Sequence, residues 1–275
     1  MHYDRPPIRP VNRPRDEAPI SSAIADPIIE FRGVTYSVKG RSAPLIAELS
    51  MSVNSGETLV LLGRSGSGKT TLLRLINRML IPSAGQVVVK GKSTMEWDAI
   101  RLRRHIGYVI QEAGLFPHFT VAENVGLVPK LDKWDSARIA KRTDELLRIV
   151  GLEPKEFAQR RPAQLSGGQR QRVGVARALG ADPSILLMDE PFGALDPVTR
   201  SELQHEFSEL ACRLGKTIVF VTHDLREALL LASRIVLLQN GRIVASAKPQ
   251  DFLRIEHAEV KAFSDTLQTV AGEPA

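Results

Sequence analysis

Residues Gly63-Arg64-Ser65-Gly66-Ser67-Gly68-Lys69-Thr70-Thr71 satisfy the pattern G-x-x-x-x-G-K-[ST] without a mismatch, and few short stretches restrict a fold so closely. The apolar run Leu59-Val60-Leu61-Leu62 reads as a buried strand leading in, and Thr70 to Met79 reads as a helix leading out. Strand, loop and helix in that order make a phosphate cradle. The glycines let successive backbone N–H groups turn inward, and the helix N-terminus adds a dipole that favours an anion. Lys69 can then reach the β- and γ-phosphates of a nucleotide, and the Thr70 hydroxyl can ligate Mg²⁺. A glycine-rich turn that bound nothing would have no use for lysine and threonine at those two positions. The loop therefore predicts a nucleotide-binding protein with an α/β core.

The rest of the chain fits that core. Its 275 residues suffice for one large α/β domain, with or without an insertion. Short apolar runs from Ile28 to Val53 predict an antiparallel β-layer. It contains Tyr36, an aromatic suited either to a core or to stacking on a purine. Gln86 to Val89, Ile106 to Ile110, Ile185 to Met188 and Thr217 to Thr222 read as strands, and Arg234 to Val244 as a hairpin turning at Asn240-Gly241. The pattern is helical from Asp135 to Val150, with Ile139, Leu146, Leu147 and Val150 on one face. It is helical again from Leu165-Ser166-Gly167-Gly168-Gln169 to about Gly180, with Ser166 as N-cap. Asp196-Pro197 opens another helix, with Leu203, Phe207, Leu210 and Leu214 as its apolar face. The expected architecture is a mostly parallel sheet with an antiparallel β-layer and an inserted α-helical subdomain over about residues 112–180. Residues 1–27, with six prolines and four arginines, are expected as a disordered tail, 28–255 as the domain and 256–275 as a C-terminal tail.

Charge and composition narrow the partners. The net charge is +6, but the basic residues are scattered, so an anionic membrane face or a phosphate-rich ligand is favoured over nucleic acid. Cys212 is the only cysteine, which excludes an internal disulfide, fits a reducing compartment and reads as a small filler. No apolar run approaches the roughly 18–20 residues that span a bilayer, and the N-terminus lacks the hydrophobic centre of a signal peptide. A cytoplasmic chain is expected, held at a membrane only by a partner.

Hydrolysis of a nucleoside triphosphate needs a metal ion, a positioned water and donors for the γ-phosphoryl oxygens. Asp189, ending an apolar strand, suits holding Mg²⁺ through an intervening ligand. Glu190 follows it and can aim at the attacking water as general base, although two acids at a strand end can also cap a helix. His223, at another strand tip, suits a hydrogen bond to the γ-phosphate or a satisfied place in the core. Gln111, also at a strand end, can touch Mg²⁺ or water through its neutral amide.

The phosphate loop, Gln111, Leu165-Ser166-Gly167-Gly168-Gln169, Leu186-Leu187-Met188-Asp189-Glu190-Pro191, Ala194-Leu195-Asp196 and Thr222-His223-Asp224 occur in that order. Together they resemble the ATP-binding cassette (ABC) ATPases, a group of P-loop NTPases, across about residues 28–255. The resemblance implies ATP and Mg²⁺ as ligands and a head-to-tail pair of cassettes. In such a pair Ser166 and Gly168, within the 166–169 run, serve the ATP of the opposite chain. It also implies that Tyr36 stacks on adenine, that Asp196 makes a contact across the pair, and that Gln111 leads into an insertion receiving the coupling helices of membrane subunits. The stretches Gly107 to Val121 and Pro191 to Arg200 are similar to the importers of osmoprotectants such as glycine betaine and choline. That similarity implies an energising subunit on the cytoplasmic face of the cell membrane, working with integral permease subunits and a separate binding protein. Many members of that group carry C-terminal regulatory domains, and none is expected within these 275 residues. Competing readings are an importer of another small polar solute, such as an amino acid or sulfonate, or a soluble cassette ATPase acting on DNA or ribosomes. A nucleotide switch without turnover is a third, and Glu190 beside Asp189 argues against it.

Overall fold

Alternation along the apolar runs decides which way each strand residue faces. The computed structural model of the chain describes residues 27–111 and 113–271. Apart from Pro27, the tail expected over 1–27 lies outside the described residues, as does the side chain of Cys212. The chain begins with strands β1 (Pro27–Tyr36), β2 (Ile46–Asn54) and β3 (Thr58–Leu62), followed by helix α1 (Lys69–Ile76). Strands β4 (Ala84–Val89) and β5 (Lys92–Ser93), helix α2 (Ala99–Arg104) and strand β6 (Ile106–Val109) come next. Five helices then fill the stretch before the next strand: α3 (Val121–Val125), α4 (Leu127–Leu131), α5 (Ser136–Ile149), α6 (Pro154–Phe157) and α7 (Gly167–Leu179). The remainder is β7 (Ile185–Asp189), α8 (Pro197–Leu214), β8 (Thr217–Thr222), α9 (Leu225–Leu231), β9 (Arg234–Gln239), β10 (Arg242–Ala247), α10 (Pro249–Phe252) and α11 (Ala258–Ala271).

The six-stranded sheet has the order β10-β9-β3-β8-β7-β6, parallel except for the β9–β10 hairpin. A four-stranded antiparallel sheet, β2-β1-β4-β5, packs beside it. In β3, Leu59 and Leu61 face one core with Val219, Val221 and the antiparallel sheet, while Val60 and Leu62 face the other with Phe220 and Ile235. The same division runs through β7, where Ile185 and Leu187 part from Leu186 and Met188. Burial on both faces is why these strands read as continuous apolar runs.

The helices start where capping side chains stand. Asp135, Ser166 and Asp196 each accept a backbone N–H from the first turn of α5, α7 and α8, and Ser166 with Gln169 closes a full capping box. On α5, Leu146, Leu147 and Val150 are buried, whereas Ile139 is only half covered. Helix α1 stops at Ile76, short of the expected Met79, because Asn77 Oδ1 accepts from Met79 N and Arg78 turns to φ +53. The 256–275 segment, expected as a tail beyond the domain, instead carries α11. Val260 and Phe263 of that helix are buried in the main core, with Leu267 packed on it, and this apolar spacing is that of an amphipathic helix. No helix among the described residues is long and apolar enough to cross a membrane.

The hairpin turn ties the two sheets to the phosphate loop. Gly241 N donates to Ser67 O at 3.2 Å, and Gly241 O accepts from Ala47 N at 3.1 Å. Gly241 stands at φ +73, and a Cβ there would lie 2.2 Å from the Leu45 carbonyl oxygen. Gly215, which caps α8, has a similar φ of +58 but open space around it. Alanine at Gly215 should therefore cost only the left-handed backbone penalty, about 1 kcal/mol, and lower Tm by about 2–4 °C. Alanine at Gly241 should cost about 3 kcal/mol or more and lower Tm by about 10 °C, measured by calorimetry. Equal effects of the two would contradict the close approach at Gly241.

Candidate active site

The parallel register brings three strand tips to one edge of the sheet. Leu62 pairs with Thr222 and Asp189 with Val221, so the phosphate loop, the acid pair and His223 all leave the sheet together. This is the carboxyl-end position at which open α/β sheets bind ligands. The loop is held close. A Cβ on Gly63 would lie 2.5 Å from Leu238 O and 2.7 Å from Ser67 Oγ. Gly68 has φ +103, and a Cβ on it would meet Ile46 Cδ1 at 2.5 Å. Ser67 Oγ is buried in the cradle without a hydrogen-bond partner, and Gly68 offers α1 no side-chain cap. Both leave polar groups available to a phosphate. Arg64, Ser65 and Gly66 form the exposed rim of the loop, and Thr71 is half-buried in the first turn of α1. Lys69 is 5% exposed, and its Nζ donates to Gly63 O at 2.7 Å and Arg64 O at 2.9 Å. Burial lowers the Lys69 pKa, while the charges of Glu190 and Asp189 hold it up.

Asp189 is gripped by two hydroxyls. Thr70 Oγ1 donates to Oδ1 at 2.7 Å, and the Tyr108 hydroxyl donates to Oδ2 at 3.3 Å. Burial first, and then the Asp189 charge, push the Tyr108 hydroxyl up to about 12, so it remains a proton donor. Tyr108 was not singled out by sequence; the available signal was a polar-tipped aromatic in an apolar strand that pairs with β7 two residues before the acid. A hydroxyl beside a carboxylate fits Mg²⁺, a hard cation that leaves most of its shell to water and phosphate oxygens. Among the described residues no cluster of three or more His, Cys, Asp or Glu could hold a metal ion.

Glu190 adopts φ +44, uncommon for a side chain of its size, and its N–H donates to Val221 O at 3.1 Å. The turn places its Oε2 3.1 Å from His223 Nδ1. Arg64, Ser65, Glu190, His223, Phe263 and Thr266 bound a cavity of about 550 Å³. Helix α11 thus walls the site, and its Glu259 Oε1 accepts from Arg64 Nε at 2.6 Å while Oε2 accepts from Gln239 Nε2 at 3.1 Å. Neither Glu259 nor Phe263 carried a local signal of belonging to the site.

The remaining expected residues stand elsewhere. Gln111 lies in the turn after β6, with Nε2 3.6 Å from where a Cβ on Gly193 would sit, in a cavity shared with Gly167, Gln171, Pro191 and Leu195. It is placed against Gly193 rather than against Thr70 or Asp189. Tyr36, half-buried at the end of β1, pairs with Ile46, the residue that packs on Gly68. Ser166 is exposed, Gly167 and Gln169 half-buried and Gly168 buried, where a Cβ would lie 2.7 Å from Thr199 Cγ2. Asp196 is exposed, and the Thr199 N–H holds its carboxyl below the usual range.

Comparison with known proteins places this geometry. The family model described as ABC transporter matches residues 46–193. The chain is 48% identical over 227 residues to the carnitine transport ATP-binding protein of Listeria monocytogenes, covering 82% of this chain and 57% of that protein. It is 49% identical over 226 residues to the glycine betaine uptake system ATP-binding protein of Escherichia coli, covering 82% of this chain and 72% of that protein. The chain thus spans little more than half the length of the first of these relatives. Among solved structures, a dimeric ATP-binding cassette in a post-hydrolysis state with ADP and Pi superposes with a TM-score of 0.71 at 35% identity, over 80% of this chain and 98% of that one. With its own strand tips arranged as described, the chain belongs to the ABC transporter family.

Proposed function

We propose that this chain is the ATP-hydrolysing subunit of an importer for a quaternary-amine osmoprotectant such as glycine betaine, carnitine or choline. The observation that carries the hydrolytic part is the meeting of Lys69, the Thr70–Asp189 pair and the Glu190–His223 pair at one sheet edge. The backbone of Gly63 to Thr71 and the Lys69 ammonium bind the phosphates, and Tyr36 stacks on the purine. Thr70 and Asp189 would hold Mg²⁺, joined by Gln111 only if its side chain swings away from Gly193, and the ion would neutralise charge on the transferring phosphates. Glu190 takes the proton of the attacking water as general base. His223 keeps Glu190 aimed through the 3.1 Å contact and hydrogen-bonds the γ-phosphate.

Ser166, Gly167, Gly168, Gln169 and Asp196 serve the nucleotide of a second copy of the chain. Two features support this: Ser166 and Asp196 are exposed, and Gly167 borders a cavity with Gln111 and Pro191 rather than with the phosphate loop. The dimeric form of the solved cassette bound to ADP and Pi supports it further. The pair of cassettes sits on the cytoplasmic face of the membrane against permease subunits, and a separate binding protein recognises the cation through aromatic faces. The cargo assignment rests on the names of the carnitine and glycine betaine relatives.

Replacing Lys69 by alanine should lower ATP turnover by about 100-fold or more, the loss expected for one charge matched to the transferring phosphoryl group. Glu190→Gln should bind ATP yet hydrolyse it about 10²-fold or more slowly, because shape is kept and the base is lost. Light scattering should then detect an ATP-dependent dimer of this variant. A monomeric variant with wild-type turnover would remove Glu190 from the mechanism. In cells, deletion of the gene should abolish uptake of radiolabelled glycine betaine and choline, restored by the wild-type gene and not by Glu190→Gln. Unchanged uptake in a strain without redundant carriers, with ATP hydrolysis intact, would move the cargo to another solute class.

A further inference from the structure

One buried carboxylate beside the site takes no part in the chemistry above. Glu227, in the first turn of α9, is 5% exposed. Its Oε2 accepts the Thr222 hydroxyl at 2.5 Å, and its Oε1 accepts Gln204 Nε2 at 2.8 Å. Thr222, the last residue of β8, is itself 2% exposed, and its Oγ1 also accepts the Asp224 backbone N–H at 2.9 Å. A threonine hydroxyl has one proton to give, and here it goes to Glu227. Both Glu227 oxygens are thus engaged, one by Thr222 and one by Gln204.

The carboxylate joins three elements: the tip of β8, α9, and α8 through Gln204. His223 follows Thr222 directly and meets Glu190 at 3.1 Å. Helix α8, capped by Asp196 after the short loop that leaves Glu190, packs near β8 through Phe192, Phe207 and Phe220, whose ring centroids lie 5.8–6.4 Å apart. Glu227 is thus the polar joint, and the three rings the apolar joint, of one corner.

The polar joint is an expensive choice for stability. Burial raises the Glu227 pKa, the Thr222 hydrogen bond opposes that rise, the Asp224 charge at the head of α9 adds to it, and Gln204 and Arg200 on α8 oppose it. A carboxyl whose folded pKa lies above its unfolded one stabilises the fold below the unfolded value, and that stability is lost as pH rises through the folded value. At neutral pH a glutamine of the same shape would hold the corner without a buried charge. A joint that served packing alone would gain nothing from the carboxylate.

We propose that Glu227 is a positioning residue for hydrolysis: its carboxylate fixes the Thr222 hydroxyl and Gln204, and so locks the His223 turn to helix α8 in register with Glu190. What His223 and Glu190 do rests on the function proposed above, whereas the placement of His223 by Glu227 rests on the geometry. The physical role of the charge is orientation. An anion with two acceptor oxygens compels both Thr222 and Gln204 to point donors at it, while an amide offers one acceptor and one donor and lets either partner rotate.

The test is Glu227→Gln in the full chain, with Tm at neutral pH, kcat and KM for ATP, and the NMR signals of the His223 imidazole. The expected result is a Tm equal to or above wild type, a kcat about tenfold lower, a KM within about twofold, and displaced His223 resonances. Thr222→Val should reproduce the loss in kcat and Thr222→Ser, which keeps the hydroxyl, should restore most of it. A parallel fall in Tm and kcat, or a kcat within about twofold of wild type, would overturn the proposal. If the wild-type chain shows no ATP turnover, the functional reading fails by itself, and His223 resonances unmoved in Glu227→Gln would overturn the placement independently.

Discussion

Strand β3 has no exposed residue, and Leu59 to Leu62 are fully buried. It lies inside the six-stranded sheet, with hydrogen-bonded partners on both sides. They are β8 and β9, both parallel to it. Parallel pairing makes neighbouring strands end on the same side, and everything chemical here follows from that. The loop after β3, the acids after β7 and the histidine after β8 come from distant parts of the chain, and shared direction alone gathers them. The antiparallel sheet contributes from the side: Ile46 of β2 closes on Gly68, and Leu45 and Ala47 hold the hairpin glycine.

Around that edge the electrostatics are balanced locally. Lys69, almost fully buried, donates to two backbone carbonyls close to the charges of Asp189 and Glu190, and Asp189 is in turn fixed by two hydroxyls from α1 and β6. Polar groups held by two hydrogen bonds in this way keep a fixed geometry, because rotating either would leave a partner unsatisfied. The outer rim differs. Arg64 is largely exposed in its pair with Glu259, so that contact contributes little to stability, of the order of 0–1 kcal/mol. The site therefore has a rigid floor and a weakly held rim.

Much of this could be read from the chain because the responsible signals are local. The phosphate loop, the apolar runs of β3, β7 and β8 and the caps Ser166 and Asp196 each lie within a few residues of the structure they create. What escaped sequence reading is set by partners far away. Arg64 meets Glu259 across 195 residues, and nothing near either residue signals the other. Tyr108 acquires its role only because β6 pairs with β7. The direction of the Gln111 side chain, in a turn after a strand, depends on Gly193 and α7, and no periodicity specifies it. Helix α11 was legible in principle from the spacing of Val260, Phe263 and Leu267, but it lies beyond the motif-bearing stretch.

The ties between β3, its loop and the far end of the chain bear on how the protein is made. Thr58 N donates to Ser233 Oγ, 175 residues downstream, and Gly241 N donates to Ser67 O. A chain emerging N-terminus first exposes the loop residues long before these partners exist. Contacts of such sequence separation form late, because the intervening segment must be ordered before they can close. The cradle is thus completed only once the β9–β10 hairpin has been made, well after the loop's own residues have emerged. A nascent chain of residues 1–230 contains every residue of the phosphate loop and lacks the hairpin that shapes it.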